Sequence, residues 1–153
     1  MRFLLVDRIL ELERGRRARG IKSVTMSEDF LTHHFPEAPI MPGALLAESL
    51  VQLADWVIRD GSDHRQVGLA VSFESARFHR LARPGDRLDL EVELVDRDDG
   101  TARFKGQVSR DGQRVAAARF TLSVEDAEEL LSEDDSRRSL ANLLGGERKG
   151  WME

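Results

Sequence analysis

The chain contains no cysteine. That absence removes disulfides, thiolate nucleophiles and cysteine-based zinc sites together, while leaving the cellular compartment open. An excess of positive charge is also missing. Lysine and arginine number 23 against 28 aspartates and glutamates, a formal net charge of -5. This argues against a general nucleic-acid binder unless the basic residues cluster. Long hydrophobic runs are scarce: the opening MRFLLVDRIL has only Phe3 to Val6 in an unbroken apolar row before Asp7. That is too short for a signal-peptide core or a membrane span, so the cytoplasm is the expected location. No internal repeat is evident. What is present, 153 residues with 41% hydrophobic and 33% charged, suffices for one domain with a real core and a heavily charged surface.

The second half alternates. DRLDLEVELVDR places Leu88, Leu90, Val92 and Leu94 at period two with Asp89, Glu91 and Glu93 between them, which predicts a strand with one wet face. DDGT (residues 98–101) and RDGQ (110–113) are turn signals, and the stretches after them carry Phe104, Gly106, Val108 and then Phe120, Leu122, Val124 in alternation. An antiparallel meander follows. Residues 67–78 (VGLAVSFESARF) predict a further strand, and VDRILELE and ARGIKSVTM predict two shorter ones around the basic turn RGRRARG.

Between these sheet halves lies the only long apolar helical pattern, from Gly43 to about Arg59, with Pro42 at its first turn and Gly61 at its end. Its polar positions, Glu48, Gln52, Asp55 and Arg59, form one narrow stripe, and nearly everything else is apolar. Such a helix is enclosed rather than laid on a surface. One long helix wrapped by an antiparallel sheet is the α+β hotdog arrangement, expected over residues 1–124. Residues 125–153 form a charged extension with two short helix-like pieces, 127–131 and 137–144. The simpler expectation is a solvated, frayed tail; the alternative docks Leu140, Leu143, Leu144 and Trp151 on the body or on a partner.

The stretch THHFPEAPIMPGALLAESLVQLADW, residues 32–56, holds most of the candidate chemistry. Singly its features are weak. Glu48 is equally the first residue of a wet stripe, His33 and His34 are equally turn residues, and PIMPG is equally a rigid lead into a helix. Without cysteine or a helical histidine pair, no metal site is expected. Taken together they supply three parts of a β-elimination next to a carbonyl. The helix start offers unpaired N–H groups to an oxygen gaining negative charge. An imidazole just upstream is a base near neutral pH, and a carboxyl group on an enclosed helix can hold a proton to donate.

HFPEAPIMPGALLAESLVQ resembles the signature of the bacterial (3R)-hydroxyacyl-[acyl-carrier-protein] dehydratases of dissociated fatty-acid synthesis. That signature runs His-Phe-Pro-Gly-x-Pro, then Pro-Gly, then a helix with Glu and, four residues later, Gln. His34, Phe35, Pro36, Pro39, Pro42, Gly43, Glu48 and Gln52 fall on it in register. FLLVDRILELERG and ESARFHRLARPGDRLDLEVEL extend the likeness over about Arg2 to Val124. The resemblance implies that His34 removes the C2 proton, that Glu48 protonates the departing 3-hydroxyl, and that the Gly43 N–H polarises the thioester carbonyl. It also implies Gln52 as the residue orienting Glu48 or a water, Phe35 as a substrate-binding position, and no cofactor. As partners it implies acyl carrier protein and a second copy of the chain. The site then lies at a dimer interface, with dimers assembling further into hexamers, and neither nucleic acid nor membrane is implied.

Two positions depart from the pattern. His33 and Glu37 stand where the family has Gly. If the backbone at Glu37 needs a positive φ, the side chain costs on the order of 1 kcal/mol there. A carboxylate beside His34 would also favour the imidazolium and weaken the base. The simpler expectation is that Glu37 points to water. Arg77, Arg80 and Arg83 form a local basic cluster, either an ordinary solvated face or a dock for an acidic carrier. A hotdog thioesterase and a non-catalytic acyl- or carrier-binding module are the alternative functions.

Overall fold

The computed structural model describes residues 3–128 and 130–145. Six strands, β1 (Arg8–Glu13), β2 (Arg17–Ser23), β3 (Gln66–Phe78), β4 (Arg87–Arg97), β5 (Thr101–Arg110) and β6 (Gln113–Asp126), form one sheet of order β1-β2-β4-β5-β6-β3. Every neighbouring pair is antiparallel. Helix α1 (Gly43–Gly61) crosses the concave side, and a short 3-10 turn (Asp29–Thr32) precedes it. This is the hotdog arrangement.

The alternation in the meander is the reason for the wrap. Leu88, Leu90 and Val92 of β4, Phe104 and Val108 of β5 and Phe120 and Leu122 of β6 are all buried, and they meet Leu46, Leu50, Leu53, Val57 and Ile58 of α1 in one core. Where α1 comes closest, the strand has no side chain. A β-carbon on Gly68 would stand 2.6 Å from Ile58 Cδ1 and 2.8 Å from Leu122 Cδ1. The turns follow their chemistry: Asp98 accepts from the Gly100 and Thr101 amides, and Asp111-Gly112 both take positive φ.

β3 is different. It pairs only with β6, at the edge of the sheet, and Leu69, Val71 and Phe73 on it are exposed.

The tail corrects the simpler expectation. The described residues of the expected helix at 127–131 (127, 128, 130 and 131) are bend, turn and irregular chain rather than helix, and α2 (Glu133–Leu143) begins four residues before the second expected helix. Ser132 caps it, accepting from the Asp135 amide at 3.2 Å. Leu140 is buried in the core, Leu143 packs partly against it, and Leu144 stays exposed. Ser136 is buried between His64 Nδ1, at 2.8 Å, and Arg59 Nη1, at 3.5 Å. Trp151 lies outside the described residues.

Candidate active site

The segment between the 3-10 turn and α1 is stapled by its own backbone. The Phe35 amide donates to the Ala38 carbonyl (3.3 Å), the Ala38 amide to Phe35 (3.1 Å), and the Ile40 amide to His34 (2.9 Å). The Met41 amide ties it to Ala82 across the sheet at 2.8 Å. Upstream, buried Lys22 donates to Glu28 at 2.5 Å and anchors the start of the 3-10 turn, a role nothing in the sequence pattern signals.

Within this frame His34 Nδ1 lies 3.0 Å from the carbonyl oxygen of Ile40. That oxygen only accepts, so in the neutral ring Nδ1 carries the hydrogen and Nε2 keeps its lone pair. The ring is half-buried and stacks on Phe35, centroids 4.3 Å apart, while Phe35 is 52% exposed. The neutral His34 imidazole thus has a fixed tautomer.

At the helix start, Pro42 is extended, no side chain caps the first amides, and the first turn carries no acidic residue. The positive end of the helix is left uncompensated. A β-carbon at Gly43 would sit 3.1 Å from the ring of Phe78, so glycine lets this aromatic lie directly on the helix start. Phe78, the last residue of β3, is 50% exposed. It escaped the sequence reading because period two assigns it a face and not a neighbour.

Five residues into α1, the stripe that periodicity would make a wet face is half-buried instead. Gln52 Nε2 donates to Glu48 Oε1 at 3.1 Å, and the Gln52 amide also bonds the backbone of Phe3 and Leu5. Further along, Asp55 bonds Arg59 and the Gly68 amide. No described hydrogen bond joins His34 to Glu48 within the chain. The His34 imidazole, the helix start and the Glu48 carboxyl lie along the same loop-to-helix passage, with Phe35 and Phe78 exposed.

A family model described as a FabA-like domain matches residues 1–119. A 3-hydroxyacyl-[acyl-carrier-protein] dehydratase FabZ of Caldanaerobacter subterraneus is 45% identical over 116 residues, 75% of this chain and 82% of that protein. The FabZ dehydratase of Bacillus subtilis is 38% identical over 123 residues, 80% of this chain and 87% of the other. The chain belongs to the 3-hydroxyacyl-[acyl-carrier-protein] dehydratase family. Among solved structures, the dehydratase heterocomplex ApeI:P of Xenorhabdus doucetiae matches with TM-score 0.61 and 19% identity over 74% of this chain and 92% of its own. An acetyl-CoA-bound Streptococcus mutans protein, smu.793, matches with TM-score 0.64 and 16% identity over 82% and 94%. At such identities the likeness bears on the fold alone. Helix α2 lies beyond the span of the family domain.

As a dehydratase-family chain, this one keeps its departure at Glu37 without backbone strain. The non-glycine residues with positive φ among those described are Asp63, His64 and Asp111, and Glu37 is exposed. The basic cluster divides. Arg77 lines an outward groove of about 380 Å³ on the sheet face turned from α1, with Lys105, Arg114, Arg119, Glu91 and Glu93. Arg80 and Arg83 stand exposed in the β3–β4 connection and do not line that groove.

Proposed function

We propose that the chain dehydrates (3R)-hydroxyacyl thioesters on acyl carrier protein to trans-2-enoyl thioesters, in fatty-acid biosynthesis in the cytoplasm. One observation carries the reading: among the described residues, a histidine whose Nδ1 is tied to a carbonyl and whose Nε2 lone pair has no partner stands before a helix whose first half-buried carboxylate is bonded on one oxygen only. His34 Nε2 takes the C2 proton, and the C–H pair becomes the C2–C3 double bond. The C3–O pair leaves with oxygen, which takes a proton from Glu48 and departs as water. The Gly43 N–H meets the negative charge that grows on the thioester oxygen. Phe35 borders the acyl chain, and Gln52 orients Glu48. General acid–base catalysis supplies about 10²–10⁴-fold, so the helix start carries much of the rest. The step uses neither metal nor nucleotide.

The working unit is a homodimer. The open edge of β3, with Leu69, Val71, Phe73 and Phe78 exposed on it, needs cover, and a second copy of β3 supplies it. His34 and Glu48 of one site then come from different chains, and three dimers form a hexamer. Purified protein offered 3-hydroxyacyl and enoyl thioesters tests the reaction: reversible interconversion supports it, free thiol marks a thioesterase, and binding without turnover marks a carrier module. The acidic carrier docks on Arg80 and Arg83, with Arg77 nearby. Reversing Arg80 and Arg83 to Glu raises KM for carrier-bound substrate, leaves a pantetheine thioester unaffected, and does so less at high salt. Equal losses on both substrates would place the damage inside the site.

A further inference from the structure

The Gln52 side chain is held by backbone 47 and 49 residues earlier in the sequence. Its Oε1 accepts from the Leu5 amide at 2.9 Å, and its Nε2 donates both to the Phe3 carbonyl at 2.8 Å and to Glu48 Oε1 at 3.1 Å. A peptide N–H only donates and a peptide C=O only accepts, so the carboxamide has a single allowed orientation with both its hydrogens committed. Gln52 therefore always offers a hydrogen to Glu48 Oε1 and never accepts one from it. Glu48 Oε2 has no hydrogen-bond partner among the described residues.

We propose that the segment 3–5, acting through Gln52, dictates which oxygen of Glu48 carries the transferable proton, and that this oxygen is Oε2. The proposal rests on the reading of Glu48 as the proton donor. In the elimination, Oε2–H passes to the departing 3-hydroxyl while the C3–O pair leaves with that oxygen. The carboxylate left behind keeps the Gln52 hydrogen on Oε1. A Gln52 free to flip would instead accept a hydrogen bond from a proton on Oε1, and the acid would rest in a state that cannot reach substrate. Leu5 is buried in the core and anchors the segment, whereas Phe3 and Leu4 are 52% and 64% exposed. Packing of Phe3 and Leu4 alone gives no reason for their path. Gln52 and the segment are positioning residues, since neither need touch the reacting atoms.

Joint Phe3→Gly and Leu4→Gly substitution loosens the segment while leaving Leu5 and the core in place. We expect kcat to fall about ten-fold with KM unchanged, and Gln52→Leu to give a similar or larger loss. Because the segment acts through Gln52, adding the two glycines to Gln52→Leu should cost nothing further. A wild-type kcat for the glycine pair, or losses that multiply in the triple variant, would overturn the proposal. Loss of kcat matched only by loss of folded protein on thermal melting would also overturn it. Glu48→Gln separates the two levels: full activity there removes the donor assignment and the proposal with it, whereas its inactivity leaves the segment to be judged by the cycle alone.

Discussion

Two residue pairs of the same spacing sit on one stripe of α1, and they are built differently. Asp55 spends both oxygens: Oδ1 accepts from the Gly68 amide at 2.7 Å, and Oδ2 accepts from Arg59 Nε at 2.8 Å and Nη2 at 2.6 Å. Burial pushes its carboxyl up, while Arg59 and the Gly68 amide pull it down. Arg59 in turn lies 4.7 Å from the centre of the Trp56 ring and reaches Ser136 of α2. That pair joins helix, sheet and tail. Glu48 has a neutral partner, and one of its oxygens has no hydrogen-bond partner among the described residues. A carboxylate with every acceptor site used is a joint, and one with a spare oxygen near an open helix start can do chemistry. The lesson is that the same four-residue spacing says nothing about role until the third partners are known.

Exchanging each carboxylate for its amide separates the two pairs most strongly. Glu48→Gln keeps the bond from Gln52 and removes the proton, so kcat/KM should fall about 10²–10⁴-fold with little change in thermal stability. Asp55→Asn should do the reverse. It leaves the Arg59 guanidinium half-buried without its counter-charge, costing about 2–3 kcal/mol by denaturant unfolding while the folded enzyme keeps its turnover. Stability lost at Glu48 and activity lost at Asp55 would invert the assignment.

A smaller effect concerns the tail that the Asp55–Arg59 pair helps to hold. Burial first, and then Arg137 and Arg59, hold the His64 imidazole below its ordinary value, against the opposing pull of Asp60 and Asp63. The folded chain thus favours neutral His64. Its contribution is complete above the unfolded value, near 6.5, and is lost as pH falls from there through the lower folded value. The protection factors of the α2 amides, taken relative to the intrinsic exchange rate at each pH, should fall on going from about pH 7.5 to about pH 5, while those of β4 to β6 hold. His64→Asn, which tolerates the observed positive φ of 64°, should abolish that pH dependence. α2 protection factors independent of pH in the native chain would detach α2 from this histidine.

The smallest effect belongs to Glu37. Exposed and unstrained, it should yield to Glu37→Gly with less than about a two-fold change in kcat/KM, and a larger gain would show that the carboxylate disturbs His34.

Much of the fold was legible because it is local. Period two in residues 88–94 and 120–124 named the buried faces, DDGT and RDGQ named the turns, and Pro42 with Gly61 bounded α1 to within two residues. The proposed site residues His34, Gly43, Glu48 and Gln52 come from the pattern they form together in the sequence. What was hidden lies in partners distant along the chain, because periodicity assigns a face and not a neighbour. The Phe78 ring on Gly43, the Leu5 amide on Gln52 and the Ser136 hydroxyl on His64 are each of that kind. The tail was misjudged for a local reason as well: Ser132 with Asp135 is a helix start, overlooked within a run of acidic residues.

The central claim is that His34 and Glu48 serve one elimination from opposite chains of a dimer. His34→Ala and Glu48→Ala homodimers should each be nearly inactive. Dissociated, mixed in equal amounts and reassembled, about half the dimers pair one variant with the other, and each of these holds one intact site, so activity should approach about a quarter of wild type. No recovery despite demonstrated subunit exchange would place both residues in a single chain and contradict the account.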